Sequence, residues 1–141
     1  VSTHSGLDLT DAIVALLEGG GLLVGRGAKP DGGGWQGAPG ESPFTPYVDV
    51  HPVPGGVFDG SLEDPYTLAR TDYIIRSFGG DQRQCEWMND RVHALLVSAR
   101  LSMGERRTQT IRPDVAGGAV RDDTVQPPIW FAPARWRVLT N

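Results

Sequence analysis

Residues 25–60 constrain this chain more than any other segment. Glycine and proline recur there so densely that neither a helix nor a long strand can run through. Only Tyr47–His51 breaks the pattern, as a short strand-like run between two long loops. The first loop runs from about Gly27 to Pro46 and carries Trp35 and Phe44; the second, Gly55–Thr67, has Phe58 at its tip. Connections inside a compact domain are mostly about 4–6 residues long, and much longer ordered loops tend to carry function. Large aromatics in such loops give packing area to a chain that fits against neighbours. Trp35, Phe44 and Phe58 are therefore candidate assembly contacts.

The length of 141 residues suits one domain, 1–141, with a single core. The 19 glycines and 11 prolines make 30 residues in all, beside ordinary aromatic and aliphatic content, which reads as loops and not as disorder. A net charge of −4, from 13 basic and 17 acidic residues, excludes the strongly basic footprint of a general nucleic-acid binder. All basic residues but Lys29 are arginines, which suits bidentate contacts at subunit interfaces and equally suits a GC-rich coding bias. The single cysteine, Cys85, excludes an internal disulfide and sits at an apolar helical position, as a buried thiol does. No apolar run approaches the roughly 20 residues of a membrane span. The first ten residues lack a basic-plus-apolar signal pattern, so the expected compartment is the cytoplasm.

Apolar spacing predicts a first helix over Leu7–Glu18, stopped by Gly19-Gly20-Gly21. Leu22–Val24 reads as a first strand. Tyr47–His51 reads as a half-buried one, with Val48 and Val50 inward and Tyr47, Asp49 and His51 outward, ended by Pro52. Leu68–Phe78 is a third strand. Asp81 then looks like the N-cap of a second helix whose stripe of Cys85, Met88, Val92, Leu95, Leu96 and Ala99 leaves Trp87 at its edge and Arg83 and Arg91 outside. Thr108–Arg112 reads as a strand stopped by Pro113, Asp114–Gly118 as a turn, and Ile129–Thr140 as a strand that Pro133 confines to an edge or a bulge. The order α-β-β-β-α-β-β predicts an α+β fold: a mixed or antiparallel sheet of about four to five strands with both helices on one face.

Catalytic signatures are weak. His4, His51 and His93 share no metal-binding spacing, and the pair Asp49 and His51 reads as an ordinary solvated strand face before it reads as a metal site or dyad. Asp59, Glu63 and Asp64 form an acidic loop. Neither Gly19–Gly21 nor Gly32–Gly34 opens a helix as a phosphate loop does, and no serine sits in a G-x-S-x-G frame. The expectation is a protein without catalysis, metal or cofactor.

Several stretches, taken in order, carry a resemblance: LLVGRGAKPDGGGWQGAP at 22–39, PYVDVHPVPGGVFDG at 46–60, Asp64-Pro65, the strand, Gly-Gly and helix of 73–91 with Gln84-Cys85-Glu86-Trp87, and PPIWFAPARWRVLT at 127–140. Together, residues 22–141 resemble the tail terminator proteins of long-tailed, non-contractile bacteriophages, especially those of actinobacteria. The resemblance implies a small α+β protein forming a six-fold homo-oligomeric ring at the head-proximal end of the tail tube. Such a ring stops tube polymerisation, meets the tail tube protein and the head-completion or connector proteins, and lets DNA pass its lumen without sequence-specific binding. It would be assembled in the host cytoplasm and end in the virion. A closing ring needs two different patches on each subunit, for which Arg83, Arg91, Arg135 and Arg137 are further candidate contacts. The alternatives are a neck connector of the same particle, a small hydrolase using Asp49 and His51, and a host-directed binding protein.

Overall fold

In the computed structural model the described residues are 6–37, 43–53, 57–58, 69–103, 106–108, 110–125 and 127–140, without the side chains of 6, 57, 58, 69 and 106. Helix α1, Gly6–Gly19, buries Leu9, Ile13, Val14 and Leu17. Its end is a Schellman motif: the Gly21 amide donates to the Glu18 carbonyl (2.9 Å) and the Leu22 amide to that of Leu17 (3.3 Å), with Gly21 at φ +86°. The glycines stop the helix where the sequence predicts.

Strand β1 is Val24–Arg26, two residues later than expected. The first loop contains a hairpin of β2, Gly34–Trp35, and β3, Phe44–Thr45. Strand β4 is Tyr47–Pro52; β5, Val57–Phe58; and β6, Ala69–Gly79. Helix α2 is Gln82–Leu96, with the Asp81 carboxylate accepting from the Gln84 amide at 2.8 Å as the cap predicted from sequence. Short β7 (Ser102–Met103) and β8 (Arg106–Arg107) pair with each other, and β9 (Arg112–Ala116), β10 (Val120–Asp122) and β11 (Ile129–Thr140) follow.

The main sheet runs β1-β4-β6-β11-β10, with β5 added to β6 and β9 to β11. Of its pairs among the described residues, only β1 and β4 run parallel; the others are antiparallel. This is the α+β class expected, with a mixed sheet. One face carries Val48, Val50, Tyr73, Ile75, Ala134, Trp136 and Val138, which share a core with α1 and with Met88, Val92 and Leu96 of α2. Each large apolar side chain buried there contributes about 1.5–3 kcal/mol.

Three sequence expectations need correction. Phe58 is not at a loop tip: Val57 and Phe58 pair with Arg70 and Ala69 as strand β5. The turn expected at Asp114–Gly118 begins as strand, because β9 passes through Pro113 to Ala116. In β9 Val115 faces Arg135 and Pro113 faces Trp136, so Asp114 is the extra residue of a bulge. Third, Pro133 lies inside a twelve-residue strand bordered on both sides. Its carbonyl accepts from the Gly117 amide at 2.7 Å. In an antiparallel strand a residue's nitrogen and oxygen point the same way, so its missing N–H falls on that side too. There β10 has stopped pairing at Phe131 and β9 starts only at Ala134, so no ladder bond is lost.

Cys85 is buried, its thiol 3.3 Å from the Ser77 carbonyl. Burial, with the Glu86 charge beside it, pushes the thiol up to about 11. An ordinary thiol reacts through its thiolate, which this shift depletes about a hundredfold. Native Cys85 should therefore react with a disulfide reagent at pH 7 at least about a hundredfold more slowly than in urea; equal rates in the two states would contradict the burial.

Candidate functional site

Among the described residues, the second face of the sheet carries no helix. At one end it is aromatic. Trp35 meets Phe44 edge-on at 5.1 Å, Phe44 lies 6.1 Å from Tyr47, Tyr47 stacks on Phe78 at 4.5 Å, and Phe78 lies 6.0 Å from Phe131. The β2–β3 hairpin thus folds the long loop back onto its own sheet. Phe44 is 7% exposed and Trp35 partly buried, so both pack within the chain. The loop length has a structural reason here: the hairpin roofs a second apolar cluster to which, among the described residues, the helices add no apolar side chain. The side chain of Phe58 lies outside the described residues.

Beside this cluster, strand register sets Asp49 of β4 opposite Arg76 of β6 and His51 opposite Ile74. Asp49 is 1% exposed, so the strand face expected to be solvated instead buries a carboxylate beneath the part-exposed side chains of Arg76 and His51. Its Oδ2 accepts from an Arg76 guanidinium nitrogen and lies 2.9 Å from His51 Nε2, which is 3.0 Å from the same guanidinium. Asp49 Oδ1 and Arg76 Nε are buried and have no partner among the described residues. Glycine allows the cover. A Cβ on Gly25, the parallel neighbour of Asp49, would lie 2.0 Å from the Ala28 carbonyl, so only glycine lets residues 28–30 lie so close to the sheet.

Farther along, Arg70 and Arg135 both grip Asp72. Arg70 donates from Nε and Nη2 at 3.2 Å each, and Arg135 at 3.1 and 2.8 Å. Burial works to raise the Asp72 pKa, but the hydrogen bonds and charges of the two arginines outweigh it and hold it below the ordinary range. The bulged Asp114 reaches Arg135 at 3.8 Å and Arg137 at 3.5 Å. Arg135 and Arg137, expected to pair across subunits, thus have carboxylates of their own chain. The face thus holds two charge clusters: Asp49 with Arg76 and His51, and Asp72 and Asp114 with Arg70, Arg135 and Arg137.

Helix α2 presents a different surface. Trp87 is 54% exposed, with Arg91 stacked over its ring at 6.0 Å and Arg83 exposed one turn earlier. Arg91 also donates from Nη2 to the Gly20 carbonyl at 2.9 Å, which ties its guanidinium to the turn after α1.

For chemistry, among the described residues His51 has an orienting carboxylate but no nucleophile in hydrogen-bond reach. Its hydrogen-bond partners among the described residues are Asp49 and Arg76 alone. Among the described residues no three His, Cys, Asp or Glu side chains are grouped to hold a metal, and no helix is long and apolar enough to cross a membrane. The sequence reading missed Arg76, Asp72 and Asp114. A signal for the first two was present: Arg70, Asp72, Ile74 and Arg76 alternate with Thr71, Tyr73 and Ile75, giving β6 a charged face. Nothing local marks Asp114, which reaches the site only through the bulge. Compared with known protein families and with curated proteins, the sequence matches none.

Proposed function

We propose that this chain is a structural virion protein: the terminator that closes the head-proximal end of a phage tail tube as a homo-oligomeric ring, stops its polymerisation and joins it to the head-completion proteins. The sequence resemblance over residues 22–141 motivates the reading, and the observation that carries it is the outer face of α2. An aromatic ring as large as Trp87 gains nothing from water, and here a guanidinium holds it on a rigid helix. Exposed Trp and Arg together are the residue types that dominate binding energy at interfaces once a partner covers them. Val115 and Val120, exposed at the β9–β10 edge, offer the second patch that a closing, head-to-tail interface requires. A net charge of −4 suits a lumen that DNA must cross without adhering.

Trp87→Ala together with Arg91→Ala should leave the fold intact, because both side chains lie outside the core. Each truncation should weaken subunit association by about 2 kcal/mol, roughly thirtyfold. Phage carrying the double variant should yield overlong tails without heads, as seen by electron microscopy. Normal infectious particles would refute the reading. Tails of normal length lacking heads would assign the chain to the neck connector instead.

A further inference from the structure

Where the sheet ends near β9, a cleft of ≈ 470 Å³ is lined by Arg100, Thr108, Thr110, Arg112, Arg137 and Leu139. Arg112 and Arg137 stand directly opposite each other in the β9–β11 ladder. Like charges so placed are destabilising, and Arg100 adds a third. The available compensation is thin. Asp114, shared with Arg135, lies 3.5 Å from Arg137, too far for a strong hydrogen bond. No carboxylate of the described residues is within ion-pair reach of Arg100 or Arg112. Arg137 Nε is buried without a partner among the described residues. Arg100 is held in place by its Nε donating to the Thr110 hydroxyl at 3.3 Å. Three guanidiniums gathered at one cleft make a site that an oxoanion would complete.

The geometry points to this cleft as a binding site for an acidic protein segment that brings two or more carboxylates to Arg100, Arg112 and Arg137. Nucleic acid fits less well. No aromatic side chain of the described residues lines the cleft to stack a base. A single phosphate fits less well too. The volume equals that of about sixteen water molecules in the liquid, and Arg100 and Arg112 at the rim are open to a larger partner. The inference stands independently of the terminator reading.

The test uses the full chain, with octaglutamate, inorganic pyrophosphate and an octathymidylate strand as probes, titrated by calorimetry at low salt. Octaglutamate should bind, and Arg112→Gln or Arg100→Gln should each weaken it by about tenfold. Both residues are exposed and each variant removes a like charge, so the variants should melt no lower than the wild type. Lys29→Gln, on a distant loop, should bind as wild type does, which separates the cleft from general attraction. The proposal is overturned if octaglutamate does not bind, if the arginine variants bind it as tightly as wild type, or if only pyrophosphate or only the oligonucleotide binds.

Discussion

Replacing Trp136 by alanine should remove about 3–5 kcal/mol of folding stability, the range for deleting a large buried aromatic. Trp136 is 1% exposed at the centre of the helix-facing side of the sheet, paired with Tyr73 and tilted against His93 of α2 at 5.1 Å. It lies where β6, β11 and α2 meet, so the cavity would open between layers that cannot close independently. Natural domains have about 5–15 kcal/mol in all, so the variant should be partly unfolded at moderate urea. Trp136→Phe makes the comparison sharper. The indole N–H is buried with no partner among the described residues, and phenylalanine removes that orphan donor along with part of the ring. Its loss should be nearer about 1–2 kcal/mol. Urea titration of the three proteins measures both values; a loss below about 1 kcal/mol for the alanine variant would show that this residue is not the centre of the core.

Gly79→Ala should cost about 2–3 kcal/mol, at the upper part of the overpacking range. Gly79 has an ordinary backbone conformation, so strain at φ plays no part. Space is the reason. A Cβ there would lie 2.4 Å from the Cys85 backbone nitrogen and 2.9 Å from its Cα. These are helix backbone atoms, which no rotamer change can move. Either α2 shifts along β6 or the end of the strand bends away, and both disturb the packing of Cys85, Met88 and Val92. Gly118→Ala is a fitting control, because nothing lies within 4 Å of its added methyl. Equal stability of the Gly79→Ala protein and the wild type in urea would mean that the close approach of α2 to β6 is looser than its geometry.

The fold class was legible because its signals are local. Leu9, Ile13 and Leu17 repeat at helical spacing, Val48 and Val50 alternate, and Asp81 stands just before the Gln84 amide that it caps. Periodicity reports which face of an element meets the core, and the elements that bury one clean face, α1, α2 and β6, fall within a few residues of their expected limits. The loop aromatics suggest assembly contacts from sequence, but Phe44 and Trp35 complete a cluster with Tyr47 and Phe78 in their own chain. That partnership joins segments far apart in the sequence, and no pattern within the loop declares it.

The helices, the long strands, the buried thiol and the layer arrangement were written in the chain itself, since each follows from hydrophobic spacing or a capping residue within one element. How the charges meet was settled only by folding. Asp49 reaches Arg76 because antiparallel register sets those two strands opposite each other. Arg112 confronts Arg137 because β9 joins β11 in one register, and Asp114 reaches Arg135 because a bulge shifts it. A single-residue slip would turn every one of these side chains to the other face. Register is fixed by the packing of the whole sheet against two helices, and so the charged face and the arginine cleft exist only once that packing is complete.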